Sequence, residues 1–489
     1  MSKREKKRAS LFSIFLSRFL LIIAILSTIF FGYEMIKFNI LPIKYFLIIM
    51  GIMVLVLVIL GILSFRKHAR KTLISIISFL AVIYIAITLF GSLRIKDTIS
   101  FMEKNLGIKF ETNIYYVIVN SNSEYDSLND IKGEIVYSYK DLDDMYPVEE
   151  ALTKKVNVKI EYKKSIYDLL NNIAVTDGVI AYVNSGNYDV MVQNNGDYAN
   201  RVKILDTIEI KTKKEVETSS VNVTNTPFVV LISGIDTRSN SLPSRSLADV
   251  NILMAVNPSK HKILLVHIPR DYYLEIPDTG GYKDKLTHTG TIGGIDTTIK
   301  TIEDNFDIDI SYYIRVNFNF VVNLVDEVGG IDIYNDEPYS FACHADDTCV
   351  FYPEWNYDID GKCALAFARE RYAYETGDMH RGENQQHVIE QLFDKLISPT
   401  LITNYNGILN SLNGTFETNL SNDDIVSLVK MQINDMSDWE IEKYSAIGYG
   451  DSAYTYSYPN DELYVMIPDD DSMDNAIYKL KAILNTESE

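Results

Sequence analysis

Hydrophobicity along the chain falls into three regimes. Three long apolar runs come first, roughly Leu11–Gly32, Tyr45–Phe65 and Leu73–Leu93, each about long enough to cross the hydrocarbon core of a bilayer. From about Lys104 to Lys214, short apolar runs (YYVIV, EIVYSY, VNVKIEY, GVIAYV, YDVMV, RVKIL) alternate with helical stretches at Tyr146–Lys155 and Ser165–Ile173. That alternation predicts a small α/β sheet with helices packed on it. A Thr- and Ser-rich stretch, Lys211–Thr226, has linker composition and is followed by Pro227. Beyond it, FVVLISGI (228–235), VNILMAV (250–256) and KILLVHIP (262–269) are apolar at successive positions, which predicts strands buried on both faces in a sheet covered by helices on each side. Gly293–Gly294 open a helix with Ile295, Ile299, Ile302 and Phe306 on one stripe; Phe318–Val328 is a second amphipathic helix, closed by Gly329–Gly330. Further helices are expected at Ile425–Met431 and Met473–Leu484, with polar loops such as NYNG and GYGDSAYTYSYPNDE between them. The fold class is α/β, divided into a membrane anchor (1–103), an accessory α/β domain (104–214), a linker (215–226) and a larger α/β domain (227–489).

Charge orients the anchor. Lys3, Arg4, Lys6, Lys7 and Arg8 precede the first run, and Arg66, Lys67, Arg70 and Lys71 fill the loop between the second and third, whereas the first loop carries only Glu34, Lys37 and Lys44. The positive-inside rule then puts the N-terminus and second loop in the cytoplasm and everything after about Arg94 outside, as a multi-pass protein of the cell membrane. A formal net charge of -20 excludes a general nucleic-acid binder, which needs a basic footprint. Three cysteines suit an exported domain: Cys343 and Cys349 bracket CHADDTC and can close a disulfide, leaving Cys363 over. Free thiols are an alternative, and a zinc site from Cys343, His344 and Cys349 is the weaker one.

Against that acidic background, basic residues gather in a few places. In residues 361–392, Leu365, Phe367, Arg369 and Arg371 share one parity, so a strand over LAFARER projects two guanidiniums from the same face. After the turn-like Glu375–Gly377, Asp378 has N-cap chemistry, and Asp378, Arg381 and Gln385 follow at i, i+3 and i+7 on one helical face that turns apolar at Ile389 and Leu392. A helix N-terminus beside arginines suits a phosphate group. The bland alternative is a surface salt-bridge network of Arg369, Glu370, Arg371 and Asp378. The three apolar strands also end in charge: Asp236 and Arg238 follow the first, Arg245 and Asp249 precede the second, and Arg270 and Asp271 follow the third. Lys285 and His288 come next, and such strand-end positions are where α/β folds place ligands.

Taken together, GIDTR (234–238), SRSLADVNILMAVNP (244–258), HIPRDYYLEIP (267–277), KDKLTHTG (283–290) and LAFARERYAYETGDMHRGENQQ (365–386) resemble the LytR-CpsA-Psr family of membrane-anchored Gram-positive cell-wall enzymes. The resemblance runs from about Phe228 to the C-terminus. It implies a phosphotransferase that moves an anionic glycopolymer, of teichoic acid or capsular polysaccharide type, from an undecaprenyl pyrophosphate carrier to a peptidoglycan hydroxyl, releasing undecaprenyl phosphate. By motif, Arg245, Arg270, Arg369, Arg371 and Gln385 hold the pyrophosphate with Lys285 and Arg381 nearby, Asp236 and Asp249 hold Mg²⁺ (or Mn²⁺), and Asp271 or Asp378 takes the acceptor proton. Guanidiniums bind phosphate oxygens through paired donors, and Mg²⁺ prefers one or two carboxylates plus substrate phosphates, so such a site needs no protein nucleophile. One apolar stripe is expected to line a groove for the lipid tail.

Two other readings are open: a polyprenyl-pyrophosphate hydrolase with water as acceptor, and a non-enzymatic surface sensor or polymer-binding protein. A transcription regulator fails on topology, because about ten leading residues and one short loop face the cytoplasm. The chain has neither Gly-x-Ser-x-Gly nor His-Glu-x-x-His.

Overall fold

The computed structural model describes residues 10–39, 41–66, 70–105, 109–140, 145–214, 221–237, 242–398, 407–408, 411–412 and 414–485. The N-terminal basic cluster Lys3–Arg8, Lys67, linker residues 215–220, Arg238 and residues 399–406 lie outside them. The chain forms two compact units, residues 1–107 with 422–437, and residues 108–421 with 438–489.

In the first unit, α1 (Leu11–Phe38), α2 (Ile43–Ser64) and α3 (Lys71–Asn105) are long and apolar enough to cross a membrane. Their outward faces are apolar, so the polar groups turn inward: Ser17 meets Ser64 at 3.2 Å, Thr28 meets Tyr84 at 2.7 Å and Thr88 donates to Ser27 at 2.9 Å. Such bonds tie helices together where lipid offers polar groups no partner. The helix Asn422–Asp435 returns to this unit, where Lys430 reaches Asn39 at 3.0 Å and Lys44 reaches the Asn434 carbonyl at 2.5 Å.

The second unit contains two larger sheets. The first joins β1 (Lys109–Asn120), β2 (Ile135–Tyr139), β3 (Lys159–Lys163), β4 (Ile180–Asn184) and β5 (Val202–Lys214) in the order β3-β2-β4-β1-β5. Its helices are α4 (Met145–Lys155), α5 (Ile166–Val175), α6 (Ser185–Asn194) and α7 (Tyr198–Arg201). YDVMV, expected as a strand, lies inside α6. The Asn184 side chain caps that helix by accepting from Gly186 N at 2.9 Å. Five residues with apolar groups at both spacings do not distinguish the two periods, and the cap decides between them.

The second sheet has six strands in the order β16-β11-β6-β7-β8-β17: β6 (Phe228–Ile235), β7 (Val250–Asn257), β8 (Lys262–His267), β11 (Tyr312–Asn317), β16 (Phe416–Thr418) and β17 (Glu440–Ser445). Between them come the hairpin β9 (Tyr273–Glu275) and β10 (Lys283–Lys285), then α8 (Leu286–Ile292), α9 (Gly294–Phe306) and α10 (Phe318–Glu327). A lobe follows, built from β12 (Ile331–Asn335), β13 (Phe341–Cys343), β14 (Asp346–Phe351), β15 (Glu354–Ile359), α11 (Gly361–Arg369) and α12 (Asp378–Ile397). The hairpin β18 (Gly448–Ala453) and β19 (Leu463–Pro468) and the helix α13 (Asp470–Leu484) complete the chain. The run expected to be a polar loop at 448–462 thus begins as a strand. Tyr458 from that run is buried against Tyr167 of α5, with ring centroids 4.6 Å apart, so it packs the two sheets' layers together.

Alternation sorts the sheet's apolar residues. Val229, Leu231, Leu253, Ala255, Leu264 and Val266 pack with Ile295, Ile302 and Phe306 of α9 and Ala476 and Leu480 of α13. Residues of the other parity, among them Ile232, Met254, Ile314 and Val316, face α10 and α12. The sheet is covered on both faces, as its doubly apolar strands require.

LAFAR is helical, with Glu370 and Arg371 following the helix, which corrects the strand expectation. Asp360 caps α11 by accepting from Cys363 N at 2.9 Å, and three alanines in Ala364–Ala368 favour a helix, whose buried residues include Leu365 and Phe367. The cysteine pairing is corrected too. Cys349 bonds Cys363, 14 residues on, and Cys343 is the free, buried thiol. Burial pushes its pKa up to about 12. Zinc is not favoured, because Cys349 is already bonded and no group of three or more His, Cys, Asp or Glu among the described residues is arranged to hold a metal ion. Because the disulfide closes a short loop between β14 and α11, reducing it should cost about 3 kcal/mol. Urea denaturation of the full chain with and without reductant measures this, and coincident curves would show that the bridge adds nothing.

Candidate functional site

The antiparallel order of β6, β7 and β8 brings the end of β6, the start of β7 and the end of β8 to one edge of the sheet, with Gly234 opposite Val250 and Ile252 opposite His267. Charged residues from distant parts of the chain therefore meet there. Backbone bonds pin the segments together: Asp249 N to Gly234 O at 2.9 Å, Ala248 N to Thr287 O at 2.9 Å and Thr287 N to Arg270 O at 2.8 Å.

Asp249 accepts from Arg270 at 2.9 Å and from the Thr287 hydroxyl at 3.2 Å. Arg270 also lies 3.7 Å from Asp271, which meets Lys285 at 3.1 Å. Burial opposes the charge on Arg270, but Asp249, Asp271 and Asp378 outweigh it and hold the guanidinium above its ordinary pKa. Across the cleft, Arg381 forms a two-pronged contact with Asp378, at 2.9 and 3.1 Å. Its pKa is lowered, first by burial and then by the neighbouring Arg270 and Arg371. Gly377 with φ 55° is the N-cap of α12, so Asp378 is its first helical residue, not its cap, and serves as the partner of Arg381. Gln385, one turn on, donates to Ala368 O at 3.4 Å, and its buried carbonyl oxygen has no hydrogen-bond partner.

Arg369 ends α11, stacked on Phe318 at 4.3 Å and 3.7 Å from Asp236. Arg371 follows the helix and donates to the Tyr372 hydroxyl at 2.7 Å. Glu370 does not neutralise either arginine. It is buried and accepts backbone N–H groups from Arg371, Tyr372, Ala373 and His344, so the surface salt-bridge alternative loses its central anion. Arg245 sits half-buried in the β6–β7 loop. Ser244 beside it donates its backbone N–H to Thr112 O of β1 at 2.8 Å, and Ser246 accepts from the buried Arg315 at 2.6 Å.

The side chains of α12 need close approach to β8. A Cβ on Gly382 would stand 2.3 Å from His267 Nδ1, so only glycine lets the helix rest on that ring. Burial, then Arg381, pulls the His267 pKa down to about 3.

An apolar trough of about 240 Å³ opens beside the charges, between the sheet and α10 and α12. Ile232, Met254, Phe320, Leu324, Val388 and Leu392 line it, and Asp249, Arg369 and Gln385 border both trough and charged group.

One acidic residue was not anticipated. Asp189 of α6 lies close enough to Asp236 and Asp249 that burial and these two carboxylates push its pKa up to about 7. Helix α6 rests on α8, where Gly186 approaches Thr291 and the Gln193 and Asn194 side chains meet His288 Nε2 at 3.2 and 3.4 Å. His288 in turn binds Asp284, next to Lys285, at 2.6 Å. Reading YDVMV as a strand hid this placement; helical spacing from Gln193 would have revealed it. Asp236 and Asp249, with an excess of negative charge beside them, suit a divalent cation that also takes substrate oxygens.

The LytR_cpsA_psr family model matches residues 193–481. A protein of Enterococcus faecalis named polyisoprenyl-teichoic acid–peptidoglycan teichoic acid transferase TagU is 34% identical over 224 residues, 46% of this chain and 70% of that one. Its Bacillus cereus namesake is 30% identical over 237 residues, 48% of this chain and 75% of that one. A crystal structure of B. subtilis TagV aligns with a TM-score of 0.45 at 26% identity, covering 54% of this chain and 99% of that one. With more than half of its length matched by the family model and its charged motifs gathered at one sheet edge, the chain belongs to the LytR-CpsA-Psr family.

Proposed function

We propose that this protein transfers an anionic glycopolymer from a polyprenyl pyrophosphate carrier, undecaprenyl in chain class, to a hydroxyl of peptidoglycan. The observation that carries this reading is a basic cleft continuous with an apolar trough, the two sharing Asp249, Arg369 and Gln385. A lipid-borne diphosphate needs both environments at once. The transferase names of the relatives support the polymer and acceptor classes.

The acceptor oxygen bonds to the polymer-side phosphorus, and the bond from that phosphorus to the bridging oxygen breaks. Polyprenyl phosphate leaves with the bridging oxygen, and the acceptor proton passes to a carboxylate. Arg270, Arg369, Arg371 and Arg381, with Lys285, neutralise the phosphates, and Arg245 borders the same loop. Asp271 and Asp378 are the two candidates for the proton. Asp236 and Asp249 would hold Mg²⁺ (or Mn²⁺), which supplies charge neutralisation on the phosphate oxygens. The basic flanks of the anchor support an N-terminus in the cytoplasm and the second unit outside.

Four outcomes test this. Full chain in detergent, given Mg²⁺, a polyprenyl pyrophosphate-linked glycopolymer and peptidoglycan, should release polyprenyl phosphate and attach polymer. Joint replacement of Arg369 and Arg371 by Ala should slow this at least about 100-fold; an unchanged rate would sink the reading, and equal release without peptidoglycan would make the protein a hydrolase. Gly382→Ala should push α12 off His267, costing about 1–3 kcal/mol of stability together with transfer; wild-type activity in that variant would contradict the packing argument.

The fourth outcome concerns Asp189. Its folded pKa of about 7 exceeds the ordinary value of about 4, so the folded state binds the extra proton and stability falls as pH rises through that window. Asp189→Asn in chelator should flatten this decline in denaturation curves at pH 5 and pH 8. An equally steep decline would show that the carboxylates do not converge.

A further inference from the structure

Helix α12 has a second flank. Its Arg381 and Gln385 face the charged cleft, while His380, Glu383, His387 and Glu390 line a separate open cavity of about 520 Å³ between α12, the antiparallel pair β12 and β15, and the edge strand β17. The family residues described above do not use it.

The cavity has an aromatic wall and an acceptor-rich rim. Trp355 is 46% exposed and Tyr334 42% exposed, with ring centroids 5.3 Å apart. Trp355 also neighbours His387 at 6.2 Å and stacks with the exposed Tyr357 at 6.5 Å, which carries the aromatic surface out of the cavity along β15. His387 Nε2 accepts from Tyr334 N at 3.0 Å, so its other nitrogen carries the proton and faces Glu390 at 3.4 Å. His380 stacks on Tyr374 at 3.6 Å, between Asp336 at 3.5 Å and Glu383 at 3.6 Å. Glu390 is engaged by Lys443 at 2.6 Å. The Asp336 and Glu383 carboxylates are more than half exposed.

Each feature narrows the ligand. A large open cavity walled by indole and phenol rings suits flat, partly apolar faces, and carboxylates around it suit ligands that donate hydrogen bonds. Three carboxylates against one lysine repel polyphosphate, so the anionic polymer proposed for the cleft does not fit here. No group of three or more potential ligands among the described residues is arranged for a metal. A sugar ring meets every condition, with C–H groups on its face and hydroxyl donors on its edge.

We propose that this cavity is a glycan subsite that binds an uncharged oligosaccharide chain, its rings stacking on Trp355 and Tyr357 and its hydroxyls donating to Asp336 and Glu383. The site stands apart from the phosphate chemistry, and its test does not depend on transfer activity.

Isothermal titration calorimetry of the full chain in detergent, with hexa-N-acetylchitohexaose, cellohexaose and poly(glycerol phosphate) as separate titrants, tests it. Saturable binding of at least one neutral hexasaccharide is expected, weakened about tenfold by Trp355→Ala, the loss of one stacking contact at about 1.4 kcal/mol. Glu383→Gln should weaken it as well, and Arg369→Ala should leave it unchanged. Preference for the acetylated chain would assign the subsite to amino-sugar glycans, and preference for cellohexaose to plain glucans. Absence of saturable binding by both neutral chains, binding indifferent to Trp355→Ala and Glu383→Gln, or tighter binding of poly(glycerol phosphate) would overturn the proposal.

Discussion

Like charges resist being gathered, and the candidate active site exists because the fold overcomes that resistance. Arg270, Arg371 and Arg381 lie close enough for the other two to lower the pKa of Arg381. They are held there by carboxylates placed between them, Asp249 and Asp271 on one wall and Asp378 on the other. The reverse holds among the acids, where Asp189, Asp236 and Asp249 crowd one another. Each excess is localised, and the backbone bonds between the β6–β7 loop, α8 and the end of β8 fix the segments that carry these charges.

The sheet that supports this edge was legible from the strands' own composition. Phe228–Ile235, Val250–Asn257 and Lys262–His267 form where continuous apolar runs predicted them, because burial on both faces leaves little freedom of interpretation. The stripes over Ile295–Phe306 and Phe318–Val328 were equally readable, being long enough for the helical period to declare itself. Shorter runs misled. Leu365, Phe367, Arg369 and Arg371 share a parity by coincidence, and the residue that settles their conformation is Asp360, outside the run. Asp189 was missed for the same reason, with Asn184 as the deciding cap.

Two further facts required three dimensions. Glu370, which looks from sequence like a partner for its neighbouring arginines, turns inward to satisfy four backbone N–H groups. The disulfide joins Cys349 to Cys363 because β14 and α11 are adjacent in space, whereas the shorter CHADDTC spacing is the span of a tight hairpin. Sequence separation alone ranks those pairings the wrong way round.

The ring of His267 bears on Gly382 as a spacer between sheet and helix, and its pKa is depressed to about 3. An imidazole that gained a proton in mild acid would bring a new positive charge against Arg381 and drive the helix outward. Keeping it neutral spares the seam between sheet and helix a second cation beside Arg381 as the pH falls toward the mildly acidic range.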